Sequence, residues 1–378
     1  MKNNLKFYFV ENELSYLKNN RFELAKKLIL DKNIVLASTL VYSKEDLAIV
    51  SDENIKTINS NNITVTKNCK IYNTSKFIAQ QIKIEKPDII HIFTINSTVK
   101  VGMWLLLQSR KNIVCSITGL GFAFMSNSIH AQLIRLLCCF FFHAFTKKHN
   151  VHFIFQNQGD IDDFQSKLKI RLKNITLIKG SGVDTDIFIP FKTSNEIPNV
   201  LFAGRLLRDK GIYEFIEAST NLIKKNIKAN FLIAGEIDSK NPSSLTQADL
   251  QKLCKNSSFQ YIGYQSNMRI LIQNADIICL PSHREGLSKF LIEGAACGKA
   301  IVTNNVPGCK EVVTNNVNGL LVEAKNVSKL SDAIEYLINN EGIRNIFGLK
   351  SREIALNEFS KEIVISKIKQ VYNKIAVV

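Results

Sequence analysis

The segment FAGRLLRDKG (Phe202–Gly211) sets Arg205 and Lys210 just beyond an apolar run, with a glycine on either side. In open parallel sheets a ligand binds outside the carboxyl ends of the strands. Arg205 falls just past such an end. Lys210 and Gly211 fall just before a helix whose N-terminal N–H groups also favour an anion. A guanidinium forks across two oxygens and an ammonium supplies a mobile point charge, so together they suit a diphosphate. Taken alone, the same stretch also fits a solvated turn, since Arg208 and Asp209 have the character of ordinary surface residues.

A second cluster is SHREGLSKFLIEGAACGKAIV, starting at Ser282. Glu285 falls in the loop after DIICLPS, and Glu293 falls inside an apolar helix with Phe290, Leu291, Ile292, Ala295 and Ala296. Ser288 is the expected N-cap and Gly298 the expected helix end. A carboxylate in an apolar helix needs a partner; ribose hydroxyls would serve, and so would a buried salt bridge. Glu285, at the helix mouth, is placed to hold sugar hydroxyls or a developing positive charge. The N–H groups of Gly286 and Leu287 would face the same phosphates.

A third cluster, CSITGLGFAF (Cys115–Phe124), has two glycines after a strand, which permit close backbone approach to a ligand. It does not complete G-x-G-x-x-G, because Phe124 holds the third place. No P-loop, HExxH or nucleophile elbow occurs. Pro307–Gly308, Glu311 and the glycine-rich KGSGVDTDIF (Lys179–Phe188) are further residues expected near a ligand, the last at a domain junction.

The elements that must position these residues alternate along the whole chain. Strands are expected at Leu5–Val10, Ile34–Ala37, Lys86–Phe93, Asn112–Thr118 and Val151–Asn157, with a helix near Phe22–Leu30. After the irregular Gly180–Val200 the alternation restarts, with a helix over about Ile212–Lys225 and strands at Asn230–Gly235, Asp276–Ser282 and Ala300–Asn305. Short apolar strands separated by helices predict two α/β domains with parallel sheets, joined near residues 185–198. A length of 378 residues supports two such cores.

Composition narrows the partners. The net charge of +16 implies an anionic partner. The charge is spread rather than gathered in a basic arm, and aromatic–basic motifs are missing, so nucleic acid is not expected. A phosphorylated small molecule or an acidic membrane surface fits better. The eight cysteines form no CxxC or metal-like Cys/His pattern and read as small apolar residues in a reducing compartment. The N-terminus lacks the form of a signal peptide. No uncharged run of about 20 apolar residues occurs. The nearest candidate, Ala131–His149, is either a buried core helix or a monotopic helix on an anionic leaflet with Lys147 and Lys148 at the headgroups.

FAGRLLRDKG, the Glu285/Glu293 pair in EGLSKFLIE, ACGKAIVTNNVPGCKEVV, NGLLV and GSGVDTDIF together resemble glycosyltransferase family 4. These are retaining, nucleotide-sugar-dependent enzymes of the GT-B fold. ITGLGFAF and FIFQNQGDIDDF resemble the bacterial members that extend lipid-linked sugars for O-antigen, capsule or protein glycans. The resemblance implies two Rossmann-like domains whose parallel sheets face across a cleft. These are an acceptor domain over 1–188, a donor domain over 189–358, and a C-terminal helix over 359–378 packing back on the first domain. It implies that Arg205 and Lys210 grip the donor diphosphate, that Glu285 lies at the donor sugar and that Glu293 binds the ribose. Gly204, Gly286, Leu287 and Ser288 complete the donor set. Thr118, Gly119, Leu120 and Gly121 form an acceptor-side loop. Arg205, Lys210 and Glu285 are the implied catalytic residues, acting by front-face substitution with retention of configuration.

The implied donor is a nucleotide-sugar, UDP-linked by family habit, carrying a hexose or N-acetylhexosamine. The implied acceptor is a polyprenyl-diphosphate-linked glycan met at the cytoplasmic face of an anionic inner membrane. No cofactor or metal is implied. Two departures stand out: VENELSYLKNNRF carries no glycine after the first strand, and Thr118–Gly119 occupy the region where many members place a histidine. His91 and His143 read as ordinary strand and helix residues. Rival readings are a nucleotide-sugar 2-epimerase and a non-catalytic nucleotide-sugar-binding protein.

Overall fold

The computed structural model describes residues 4–41, 56–57, 70–121, 124, 128–191, 195–239, 241, 243–255 and 258–376. Phe122 and Ala123 of the third cluster and residues 192–194 of the expected linker lie outside the described residues. The chain divides into two compact units, Met1–Ser181 with Val364–Val378, and Gly182–Ile363.

The first unit is a parallel sheet of seven strands in the order β3-β2-β1-β4-β5-β6-β7. The strands are β1 (Lys6–Glu13), β2 (Ile34–Val41), β3 (Lys56–Thr57), β4 (Ile89–Phe93), β5 (Asn112–Ile117), β6 (Asn150–Phe155) and β7 (Ile175–Leu177). Helices α1 (Leu14–Leu30), α2 (Lys70–Glu85), α3 (Ile95–Leu105), α4 (Ile129–Lys148) and α5 (Gln158–Leu168) connect them. β4 is buried along its whole length, as a parallel strand covered on both faces must be.

The first helix begins at Leu14, well before the expected Phe22. The polar stretch ENELSYLKNNR hides this start. Glu11 is buried, its Oε2 lies 3.2 Å from Arg21 Nε, and the Arg21 guanidinium sits 4.1 Å from the Phe93 ring centroid. A buried ion pair makes two charged residues part of the core, which hydrophobic periodicity cannot register.

His91 on β4 is wholly structural. Its Nδ1 lies 2.6 Å from the Tyr372 hydroxyl and its Nε2 2.7 Å from Ser116 Oγ. Burial, assisted by Arg21, holds its pKa well below the usual imidazole value. His143 on α4 bonds the Cys139 carbonyl one turn back. Tyr372 comes from the last helix, α12 (Lys361–Ala376), whose Val364, Ile368, Val371 and Ile375 pack with Phe7, Phe9 and Ile89.

The second unit is a parallel sheet of six strands in the order β10-β9-β8-β11-β12-β13. Its strands are β8 (Asn199–Ala203), β9 (Asn230–Ala234), β10 (Gln260–Gly263), β11 (Ile277–Leu280), β12 (Ala300–Asn304) and β13 (Gly319–Val322). Its helices are α6 (Ile212–Lys224), α7 (Gln247–Leu253), α8 (Met268–Asn274), α9 (Lys289–Ala296), α10 (Val327–Asn339) and α11 (Glu341–Ile354).

The division falls at Ser181/Gly182, inside KGSGVDTDIF, and not after residue 188. Backbone bonds explain this. The Val183 N–H donates to the Phe359 carbonyl and the Lys361 N–H to the Val183 carbonyl. Arg352 then donates to the carbonyls of Thr185, Phe188 and Ala296. The glycine-rich stretch from Gly182 is therefore a bonded part of the second unit.

Helix α4 buries one face through Ala131, Cys138, Phe141, Phe142 and Phe145. The opposite face leaves Ile129, Leu133, Leu136, Leu137 and Phe140 exposed. It is the one helix among the described residues that is long and apolar enough to cross a membrane by length and composition. At 100° per residue those five exposed positions and Lys147 fall within one stripe about 100° wide along the helix. A core face and an open apolar face thus occur on the same helix.

Candidate active site

The sheet of the second unit changes direction of growth between β8 and β11, which is where an open α/β sheet leaves a crevice. Both clusters singled out in the sequence end there. Gly204 follows β8 with φ 153°, and Gly235 follows β9 with φ 145°. The two backbones meet so closely that a Cβ on Gly235 would lie 1.8 Å from the Gly204 carbonyl oxygen. Around Gly204 itself a Cβ would meet nothing within 4 Å, so its free face is open. Gly235→Ala is expected to lose about 2 kcal/mol of stability through positive-φ strain and this collision. Chemical denaturation measures it, and an unchanged midpoint would refute the packing account.

Arg205 comes off β8 half exposed, its Nη1 2.8 Å from Asp238 Oδ2. The single 3-10 turn Arg208–Lys210 follows and ends at Gly211, with φ 76°. A Cβ on Gly211 would lie 2.0 Å from the Pro281 carbonyl oxygen, so glycine lets this turn lie against the loop after β11. The result is direct contact between the two sequence clusters: the Lys210 ammonium pairs with Glu285 Oε1. Ser282 Oγ donates to the same oxygen at 2.9 Å. Each of these residues appears alone in the sequence as a candidate; the fold joins them.

The loop after β11 is fixed from several sides. Asn304 donates to the carbonyls of Pro281 and Ser282, and Thr303 to that of Leu280. The Glu285 N–H donates to the Pro307 carbonyl at 3.0 Å. Gly308, at φ 83°, lies where a Cβ would be 2.3 Å from the Glu285 carbonyl oxygen, which gives the PG pair its use. Glu311 accepts from the Gly308 N–H at 2.6 Å and so serves this turn.

His283 Nε2 lies 2.7 Å from Glu214 Oε1 at the start of α6. Burial, the largest single influence, would raise the Glu214 carboxyl, yet the His283 hydrogen bond, the backbone N–H of Glu214 and the charges of His283 and Lys325 together hold its pKa below the usual value. Sequence reading passed over this pair, and the acidic residue in the first turn of α6 was its only signal.

Ser288 caps α9 as expected, accepting from the Leu291 N–H. Glu293 sits one turn further on, 8% exposed. Burial pushes its carboxyl up to about 7, against the pull of Lys289, whose Nζ is 3.8 Å away. The alternative of a tight buried salt bridge is therefore only loosely met, because a half-exposed lysine does not offset the burial.

Glu293 lines a cavity of about 230 Å³ together with Gly204, Arg205, Gly235, Tyr264 and Phe290. Tyr264 follows β10 and is 66% exposed, while Phe290 lies in the first turn of α9. These two aromatic residues give the slot apolar, stackable walls, and sequence reading missed both in this role. The strand end IGYQ, placed like AGR, is the signal that would have found Tyr264. Lys210 and Glu285 do not line this slot; they pair between the loops that follow β8 and β11.

In the first unit, Thr118, Gly119, Leu120 and Gly121 follow the carboxyl end of β5. Leu120 is buried, whereas Gly119 and Gly121 have φ of 151° and 69°. A Cβ on Gly121 would meet nothing within 4 Å, so this turn presents open backbone.

Residues 185–354 match the family model described as "Glycosyl transferases group 1". A 272-residue stretch is 31% identical to the N,N'-diacetylbacillosaminyl-diphospho-undecaprenol alpha-1,3-N-acetylgalactosaminyltransferase of Campylobacter jejuni, covering 68% of this chain and 69% of that protein. The chain belongs to the group 1 glycosyl transferases. This group 1 chain is also 30% identical over 172 residues to the capsular polysaccharide biosynthesis glycosyltransferase CapM of Staphylococcus aureus, covering 46% of the chain and 45% of CapM. Among solved structures it is similar to Anabaena HepE in complex with UDP and glucose, with a TM-score of 0.78 at 15% identity over 98% of this chain and 99% of that one. At that identity the likeness speaks for the fold alone, which is GT-B with two Rossmann-like domains. Membership carries glycosyltransferase activity and a place among enzymes of polysaccharide biosynthesis. It sets aside the 2-epimerase and binding-protein readings.

Proposed function

We propose that this glycosyltransferase takes a hexose or N-acetylhexosamine from a UDP-sugar and transfers it, with retained configuration, to a polyprenyl-diphosphate-linked glycan. The observation that carries the reading is the arrangement around the end of β8. There Arg205 and Glu293 share one aromatic-walled slot, and Lys210 and Glu285 pair between the loops that follow the neighbouring strands β8 and β11. The slot suits a nucleoside, with the base against Tyr264 or Phe290 and the ribose hydroxyls on Glu293. Arg205 and Lys210 then meet the two phosphates. The C. jejuni relative's printed name supports a lipid-diphosphate acceptor.

The leaving diphosphate gains negative charge as its bond to the sugar breaks. Fixed cations aimed at that charge stabilise the transition state without reorganising. The departing oxygen accepts the proton of the incoming acceptor hydroxyl on the same face, so no enzymic nucleophile is required. Glu285 orients Lys210 and lies where positive charge grows on the sugar ring. Glu214 and His283 hold the loop that carries Glu285. Gly204, Gly286, Leu287 and Ser288 belong to the donor set of this reading, and the Thr118–Gly121 turn to the acceptor's side. Two cations neutralise the diphosphate, so activity is expected to survive EDTA.

The acceptor lipid places the enzyme on the cytoplasmic face of an anionic membrane. The exposed Ile129, Leu133, Leu136, Leu137 and Phe140 of α4, ending at Lys147, suit a helix lying in the interface plane. Flotation with anionic vesicles tests this, and Leu136→Glu with Phe140→Glu is expected to abolish it. Binding that survives both changes would refute this docking face.

The functional reading is tested by transfer from a panel of UDP-, GDP- and dTDP-sugars to a short polyprenyl-diphosphate sugar in EDTA. Product from one UDP-sugar with retained configuration is expected. Inverted product, or a strict metal requirement, would overturn the mechanism. A GDP- or dTDP-sugar as sole donor would overturn the nucleotide assignment.

A further inference from the structure

The first unit holds a second built cavity, of about 520 Å³, lined among others by Arg110, Lys147, His149, Arg171 and Lys173. It lies at the amino edge of the sheet: Arg110, His149 and Lys173 come just before β5, β6 and β7, and Asn150, Val151 and Phe153 belong to β6 itself. The Thr118–Gly121 turn follows the other end of β5. A strand of that length, 6 residues, puts about 20 Å between the two ends. The cavity is therefore separate from the acceptor turn, and no step of the transfer reaction uses it.

Its electrostatics are unbalanced. Among the described residues, none of Arg110, Lys147, Arg171 and Lys173 pairs with a carboxylate. At the wall between them His149 is only 3% exposed, edge-on to Phe145. Neither of its ring nitrogens has a partner in good hydrogen-bond geometry. Burial holds the imidazole down at about 4; the nearby Leu105 carbonyl favours the charged form, and Lys148, Lys111 and Arg110 oppose it. The ring is thus neutral at pH 7, with one N–H to donate. An unsatisfied buried polar group costs about 1–3 kcal/mol, and clustered cations add mutual repulsion. A single anion relieves both.

We propose that this cavity is an anion site that takes a phosphate group between Arg110, Lys147, Arg171 and Lys173, with the His149 N–H as a buried donor. The chemistry is that of a phosphate monoester or diester, supplied by a free phosphorylated solute or by a phospholipid headgroup. The inference does not depend on the donor assignment.

The test uses the full chain carrying Arg205→Ala and Lys210→Ala, so that the donor site does not report. Inorganic phosphate is titrated while the histidine ring resonances are followed by NMR. The His149 resonances are expected to move and its pKa to rise by about one unit as an anion settles beside it. Adding Arg171→Glu with Lys173→Glu should weaken phosphate binding about tenfold or more, with the melting curve checked for intact folding. Flotation with phosphatidylcholine–phosphatidic acid vesicles separates the sources. Flotation reduced by the two charge reversals and competed by phosphate assigns a lipid headgroup. Phosphate binding with unchanged flotation assigns a free solute. A His149 signal indifferent to phosphate overturns the site, whether or not flotation responds to surface charge.

Discussion

Lys210→Ala is expected to lower kcat/KM for sugar transfer by about 10³, which is the scale set by losing one preorganised charge at a developing anion. The loss falls mainly on kcat, because the diphosphate's charge grows in the transition state. Lys210 is also the partner of Glu285, so its removal leaves a largely buried carboxylate without its ammonium. Two consequences follow from that shared contact. Glu285→Gln should cost a similar factor on its own, and the double variant should be far from additive, because contacting residues act as a unit. Steady-state kinetics on the two single variants and the double variant check this. Independent, multiplying losses would show that the pair is not functional as a pair, and a Lys210→Ala enzyme with near-normal kcat would remove the lysine from the mechanism.

The second large effect belongs to Glu293. Replacing it by alanine should weaken donor binding by about 10², the scale of deleting hydrogen bonds to a charged acceptor; glutamine should cost less. The pH dependence follows from its carboxyl at about 7, raised by burial. Ribose hydroxyls are donors and favour the ionised acceptor, so donor affinity should rise as pH climbs through 7 and level off above it. Stability runs the other way. The native state keeps a proton that the unfolded chain releases near pH 4.3, so native binds more protons between the two values. Stability contributed by this group is full below about pH 4 and falls as pH rises through 7, by roughly 3–4 kcal/mol. Glu293→Gln should therefore flatten both profiles and be more stable than the parent at pH 8 without ligand. Calorimetry with UDP and melting curves across pH read the two effects. A pH-independent affinity in the parent would take Glu293 out of the ribose site.

Much of this molecule follows from local pattern. Apolar runs such as NVLFAG and DIICLPS end at glycine or at proline–serine, so sequence alone places Arg205 and Glu285 at strand ends. The spacing that puts Glu293 inside an apolar helix needs only the helical period and the Ser288 cap. Sequence also fixed the alternation that makes both sheets parallel, because parallel strands are buried on both faces and read as continuous apolar runs.

Tertiary structure decided the rest, for one physical reason: contacts between residues far apart in the chain leave no periodic trace. The Glu11–Arg21 pair turned polar residues into core and moved the first helix forward. The Val183–Phe359 and Lys361–Val183 bonds drew the glycine-rich stretch from Gly182 into the second unit. Gly211 and Gly308 look like ordinary turn glycines until the backbone packed against each is known. The same holds for Lys210 and Glu285, whose pairing depends on β8 and β11 being neighbours in the sheet. Pattern names the charged groups at each strand end, whereas strand order determines which of them touch.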